Sequence, residues 1–467
     1  MLSSGAVGYP DTQCSTMTAA APVFDLEREP QRARDLDRYL LLGQHLRAKQ
    51  RGMRLAVPAS GIRHEGTRCV ARLEIQSAGS TAARTILLLL EDLQWFGINL
   101  VSCANNHAFD YGEDGVLANL KHLDAAGMVH AGTGKNLAEA RAPGYLDTPN
   151  GRVALVATTA TFRPWNQAGE QRPDLRGRPG INPLGFTTTY GVDAAAFEQL
   201  KRISQGLGFE KSNERARKHF YSDKEVGDGK TAELNLLGNR YVPGEGFAIA
   251  TDANQRDLQD NLRWIREARR QADWLVVSAH CHEFGGGSLL TASTRAELEE
   301  TADFVTKFAH QAIDEGADIF VGHGSHFPMG VEIYKGKPIF YSVGNFVFQN
   351  ETVGFFPADA YERFDLDLKA TPSDFLDART NGGKKGHPSD PAYWENMFPV
   401  CEFSKQKLTS IKIYPIDQGF GRPRPQRGRP VLAEGEVANR VIERVVRLSK
   451  RYGTKVANRA GVGVIEP

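Results

Sequence analysis

Three apolar runs in this sequence each stop at a polar cluster that carries histidine, and this pattern limits the fold more than any other feature. Residues 98–104 run into Asn105-Asn106-His107, with Asp110 three residues on. Residues 274–279 run into His280-Cys281-His282-Glu283, and residues 318–321 into Gly322-His323-Gly324-Ser325-His326. A fourth run, 338–343, leads to Gly344-Asn345-Phe346. Short continuous apolar runs read as strands buried on both faces. Helical patterns lie between them: 86–96 stopped by Gly97, 113–126 closed by Gly127, 257–271, and 301–315 ended by Gly316. Further strands are expected from Met128 and over 152–158, and a hairpin is expected from 331–334 and 338–343 across Lys335-Gly336-Lys337. Strands alternating with helices predict an α/β domain. In such sheets ligands sit outside the carboxyl ends of the strands, so the polar clusters are expected to share one crevice.

The rest of the chain is less patterned. Residues 1–84 are crowded with arginine and show few strand patterns; a helix is expected over 35–51. Residues 85–420 form the expected main domain, with a polar insertion of loops and a helix at about 205–243. Residues 421–467 read as a Pro/Arg/Gly linker and a final helix over 434–451. With 467 residues, 41% apolar and 24% charged, there is ample material for a core, and the net charge of +1 calls for no nucleic-acid or anionic-membrane partner. Five scattered cysteines without a C-x-x-C pair fit reduced thiols and a cytoplasmic location rather than a disulfide framework. No run is long enough for a transmembrane helix, and no basic start followed by an apolar run marks a signal peptide.

Imidazole, carboxylate and amide oxygen suit a divalent metal such as zinc, manganese or iron. One histidine at a strand end is usually a hydrogen-bonded structural residue, but five of the twelve histidines fall at three such ends, which points to a site. His282 stays open, because strand alternation would aim it away from His280. Cys281 reads either as a thiolate nucleophile or as a small buried residue. Asn345 reads either as ligand-binding or as a turn residue after Gly344. No G-x-S-x-G elbow and no G-x-x-x-x-G-K-[ST] phosphate loop is present. Asp110 is placed to accept a ring hydrogen bond from His107 and fix its tautomer.

The string from Asn105 to Gly112 resembles the asparagine-histidine motif of the poly-γ-glutamate capsule-synthesis (CapA-type) family. The resemblance continues through Ala131-Gly132-Thr133-Gly134, His280 with Glu283, Gly322 to His326, and Tyr341 to Phe346. It keeps the family order over about half the chain. It implies a metallophosphoesterase-like two-sheet sandwich flanked by helices, with Asn106, His280, His323 and His326 near the metal. It also implies His107 as proton donor or orienting group; Asp110 and Glu283 are the further catalytic candidates, and Asn105 and Asn345 the candidates against substrate. The implied activity is a metal-dependent hydrolase acting on an amide or phosphoester, with a small molecule or γ-glutamyl polymer as substrate in poly-γ-glutamate or capsule metabolism. The alternative is a non-catalytic capsule-assembly or ligand-binding protein with an incomplete metal site. The family's Gly-Asp and Asn-x-Glu segments are not found before residue 84; Asp25, Asp35, Asp37 and Glu74 are the acidic residues considered there.

Overall fold

The computed structural model describes residues 15–20, 68–70, 72–77, 90–219, 233–285, 287–288, 295–348 and 356–467. These divide into two compact units. The first comprises residues up to Pro183, Asp260–Cys281 and His310–Pro467; the second comprises Leu184–Gln259 and His282–Ala309.

The first unit is α/β and is built on three sheets. A six-stranded sheet has the order Val331–Tyr334, Lys337–Phe340, Ile319–His323, Trp274–His280, Gly151–Thr159, Gly144–Thr148. Its four middle strands are mutually parallel. All seven residues of Trp274–His280 and all five of Ile319–His323 are buried, as parallel strands covered on both faces require. The expected hairpin forms across Lys335 and Gly336, with Val331 opposite Phe340.

A five-stranded sheet follows the order Val347–Phe348, Arg72–Ser77, Ser15–Ala20, Leu100–Ser102, Val129–Ala131. Ser15–Ala20 lies in the middle, antiparallel to both neighbours. The arginine-rich amino segment therefore supplies two strands, where the sequence pattern showed few. Ser15–Ala20 carries no apolar run, so nothing in its composition signals a central strand. Asp25, Asp35, Asp37 and the helix expected over 35–51 lie outside the described residues, while Glu74 lies opposite Thr18 in the strand register. The first two sheets share one core, in which Leu100, Ala104 and Ala131 pack with Leu155, Ala157, Val276 and Ile319. This is the sandwich arrangement expected from the sequence. Ser102 and Ser278 also join the two sheets through a buried hydroxyl–hydroxyl bond of 3.1 Å.

The third sheet is formed by Glu395–Ser404 and Lys407–Asp417 with shorter strands, including Arg68–Val70 and Val462–Ile465. It joins the same core through Met397, Ile411 and Ile413. Helix Gly435–Ser449 lays Val441, Ile442 and Val445 into that core, part of one apolar stripe at 3–4-residue spacing. At about 25 cal/mol per Å², burying each such side chain stabilises by about 1.5–3 kcal/mol before the entropy of ordering is counted.

The second unit holds a four-stranded sheet, ordered Leu234–Leu236, Asn239–Pro243, Phe186–Val192, Ala248–Ala253. Helices Ala194–Gly206 and Phe209–His219 also belong to it. The stretch read as loops and one helix thus contains paired strands. They went unread because Leu234–Leu236 and Asn239–Pro243 are short and bury only Leu236, with little apolar alternation. Among the described residues no helix is long and apolar enough to cross a membrane.

Candidate functional site

His280 ends the strand Trp274–His280 and His323 ends its parallel neighbour, directly across in register. Both rings are 1% exposed, and their Nδ1 atoms lie 2.9 Å apart. Two neutral imidazoles meeting through Nδ1 need opposite tautomers, one donating and one accepting. The Nε2 of His323 is buried and has no hydrogen-bond partner. If His323 donates through Nδ1, that Nε2 is a bare lone pair aimed into the protein. Either tautomer leaves a buried polar atom unsatisfied, at a cost of about 1–3 kcal/mol. Glycine is required next to it, because a Cβ on Gly322 would overlap the Tyr341 carbonyl of the neighbouring segment. The backbone N–H of Cys281 donates to the His323 carbonyl at 2.7 Å, which continues the pairing past the strand ends.

His326 follows a tight turn and has a left-handed backbone, φ 64°. Its Nδ1 lies 3.0 Å from Asn345 Oδ1, and the Asn345 amide nitrogen donates back to the His326 carbonyl at 3.1 Å. Because Asn345 Oδ1 can only accept, His326 carries its proton on Nδ1 and its lone pair on Nε2. Asn345 is 1% exposed, donates also from its side-chain amide to the Tyr393 carbonyl, and donates its backbone N–H to Asn396 Oδ1. Here Asn345, the residue after Gly344, holds the turn and orients the His326 ring. His387 packs edge-on against His326 with ring centres 5.3 Å apart, and against Phe348 at 5.0 Å. The sequence reading treated the loop around His387 as a loop only. Its signal is the tertiary packing of Phe348 and Trp394, which no local pattern carries.

His107 and Asp110 meet at 2.8 Å through Nδ1 and Oδ2. A carboxylate at Nδ1 fixes the proton there and leaves the lone pair on Nε2. Asn105 is buried and uses its Oδ1 to accept the His107 backbone N–H at 2.9 Å, which folds the loop into an Asx turn. Asn106 is partly exposed between them. The Ser102–Ser278 bond lies three residues before Asn105 and two before His280, so it ties the two strands together close to their carboxyl ends. Glu283 belongs to the second unit. There its Oε2 accepts the His282 backbone N–H at 3.0 Å, and Glu283–Phe284 pairs with Gly287–Ser288.

The buried imidazoles of His280 and His323, with the unpartnered Nε2, fit two ligand positions for zinc, manganese or iron. Among the described residues no group of three or more His, Cys, Asp or Glu side chains is arranged to hold an ion.

Comparison with known proteins agrees with the motif reading. The family model for bacterial capsule synthesis protein PGA_cap matches residues 77–350. The uncharacterized protein y4sH of Sinorhizobium fredii (strain NBRC 101917 / NGR234) is 34% identical over 380 residues, 80% of this chain and 77% of its own length. The PGA biosynthesis protein CapA of Bacillus subtilis (strain 168) is 34% identical over 119 residues, 25% of this chain and 28% of its own. The capsule biosynthesis protein CapA of Bacillus anthracis is 25% identical over 252 residues, 54% of this chain and 40% of its own. The chain belongs to the bacterial capsule synthesis protein family, PGA_cap.

Proposed function

We propose that this chain is a metal-dependent hydrolase that cleaves an amide or phosphoester bond in capsule or poly-γ-glutamate metabolism. The observation that carries the reading is the buried His280–His323 pair with the unpartnered Nε2 of His323. A protein interior tolerates such an atom when a ligand completes it. When bound, zinc, manganese or iron supplies an acidified water or a polarised substrate oxygen. The chain's own groups take the remaining roles. His107, with its proton held on Nδ1 by Asp110, presents Nε2 for proton transfer. Asn345 fixes the tautomer of His326. The names of the relatives, a PGA biosynthesis protein and a capsule biosynthesis protein, support a γ-glutamyl polymer or a small molecule derived from it as substrate.

A second reading, a non-catalytic capsule-assembly or ligand-binding protein, is favoured by the lack of a three-group metal cluster among the described residues. Elemental mass spectrometry of protein grown with zinc and manganese separates the two. The hydrolase reading expects on the order of one to two metal equivalents, lost in His280→Ala/His323→Ala. A well-folded protein without metal would leave the assembly reading, and unchanged metal in the double variant would remove the site assignment.

A further inference from the structure

One long loop leaves the parallel sheet beside His280. Strand Gly151–Thr159 pairs with Trp274–His280 so that Thr159 lies opposite His280, and the next N–H, that of Ala160, donates to the His280 carbonyl at 2.8 Å. The chain returns at Asn182, whose carbonyl accepts the Thr159 N–H at 3.1 Å and whose side chain donates to the Ala157 carbonyl at 2.9 Å. Residues 160–182 therefore start and finish at the same strand end. The loop is braced from within. The Ala168 N–H donates to the Ile181 carbonyl at 3.0 Å, the Gly169 N–H to the Arg178 carbonyl at 2.8 Å, and the Arg178 guanidinium to the Gln167 carbonyl at 2.9 Å. Ordered loops of this length are uncommon in packed domains and usually carry function.

The exposed side chains of the loop are cationic and apolar in alternation. Arg163, Arg172 and Arg176 are exposed, and with them Trp165 at 56% and Leu175 at 61%. The Arg163 guanidinium carbon stands 5.5 Å from the centre of the Trp165 ring. A ring takes the face of a guanidinium, whereas a carboxylate binds its N–H edge. Arg172 meets Asp174 at 3.0 Å, but both side chains are at least 70% exposed, and an incoming carboxylate can displace so weak a pair. With Arg178 counted, four arginines face two acids, Glu170 and Asp174, over residues 160–182.

We propose that this loop is the docking surface for a polycarboxylate chain, with carboxylates on Arg163, Arg172 and Arg176 and the intervening hydrocarbon on Trp165 and Leu175. The proposal rests on the γ-glutamyl reading of the substrate given above and names the place where that polymer is held, next to His280. Arg178 acts as the brace that keeps the loop in shape.

The test titrates fluorescently labelled poly-γ-glutamate with the full chain and follows anisotropy at low and high salt. The parent is expected to bind, and to bind more weakly as salt rises. Arg163→Ala/Arg172→Ala/Arg176→Ala is expected to bind on the order of tenfold more weakly, the combined effect of three exposed charge pairs, with circular dichroism showing it folded. Arg176→Glu, a single change at an exposed position, is expected to act in the same direction and serves if the triple variant does not fold. His280→Ala/His323→Ala is expected to keep the parent's affinity. A protein that holds no metal but shows these losses would remove the hydrolase reading and keep the loop assignment. Parent-like binding by the folded loop variants overturns the proposal, as does a parent that fails to bind the polymer or binds duplex DNA as tightly.

Discussion

His280 and His323 stand opposite each other on parallel strands with Nδ1 atoms 2.9 Å apart, so their tautomers are coupled. Whichever ring donates, the other must accept, and the Nε2 of His323 remains unpartnered. This relationship makes His323 an unusual core residue, because removing it also removes an unsatisfied buried atom.

His323→Ala is therefore expected to cost clearly less stability than Phe320→Ala on the same strand. Phe320 is fully buried, and its truncation costs about 3–5 kcal/mol. For His323 about 1–3 kcal/mol of desolvation penalty at Nε2 is returned, which offsets the similar cost of taking the partner from His280 Nδ1. Urea unfolding of metal-free protein measures both; equal losses would show that Nε2 is satisfied after all.

Asp318 precedes the His323 strand and is 5% exposed. Its carboxylate accepts from Arg269 at 2.8 Å, Lys337 at 2.6 Å and the Leu275 backbone N–H at 2.9 Å. Asp318→Ala strands two cations near the core and should destabilise by about 3–5 kcal/mol. Denaturant titration reads this directly, and a loss under about 1 kcal/mol would place the group in the class of exposed ion pairs.

Asn345→Ala removes the partner of His326 Nδ1 and takes one donor from each of the His326 and Tyr393 carbonyls, the second of which keeps Asn396 Nδ2. The expected cost is about 1–3 kcal/mol. Exchange of the His326 ring between tautomers should also appear in nitrogen-15 NMR, where the native ring shows one.

Thr371 caps helix Pro372–Thr380 and forms a capping box with Asp374. The Thr371 hydroxyl, followed by its backbone N–H, holds the Asp374 carboxyl below the usual value. A folded pKa lower than the unfolded one means that the stabilisation is present above the unfolded pKa, about 3.9, and is lost as pH falls through the folded pKa. Thr371→Ala should raise the Asp374 pKa toward the ordinary value and cost about 1 kcal/mol at neutral pH. Carbon-13 NMR of the carboxyl group between pH 2 and 6 gives the comparison; an unmoved pKa would contradict the capping assignment.

The strands that were legible in the sequence are those where composition alone decides. Trp274–His280 and Ile319–His323 are largely apolar up to their closing histidines because both faces are covered. The long hairpin Glu395–Ser404/Lys407–Asp417 was not read, for two local reasons. Pro399 and Pro415 sit inside its strands, opposite Ile413 and Met397, and proline argues against a strand interior. Its turn is Lys405-Gln406, with φ 48° and 63°, where Asn-Gly would normally announce such a geometry. The candidate histidines His107, His280 and His323 were singled out because each follows an apolar run. His387 was hidden because only the folding of a remote loop carries it to His326.

His326 holds a left-handed backbone that costs a non-glycine residue about 1–2 kcal/mol. A glycine would suit that geometry better, so the chain keeps its imidazole against the preference of its own backbone. His326→Gly consequently sets two quantities in opposition. Relief of the φ strain works toward a more stable protein, while the ring's bond to Asn345 Oδ1 and its packing against His387 are gone. A variant that folds as well as or better than its parent and yet handles ligand less well would show that this turn was kept for what it holds out, and not for how well it closes.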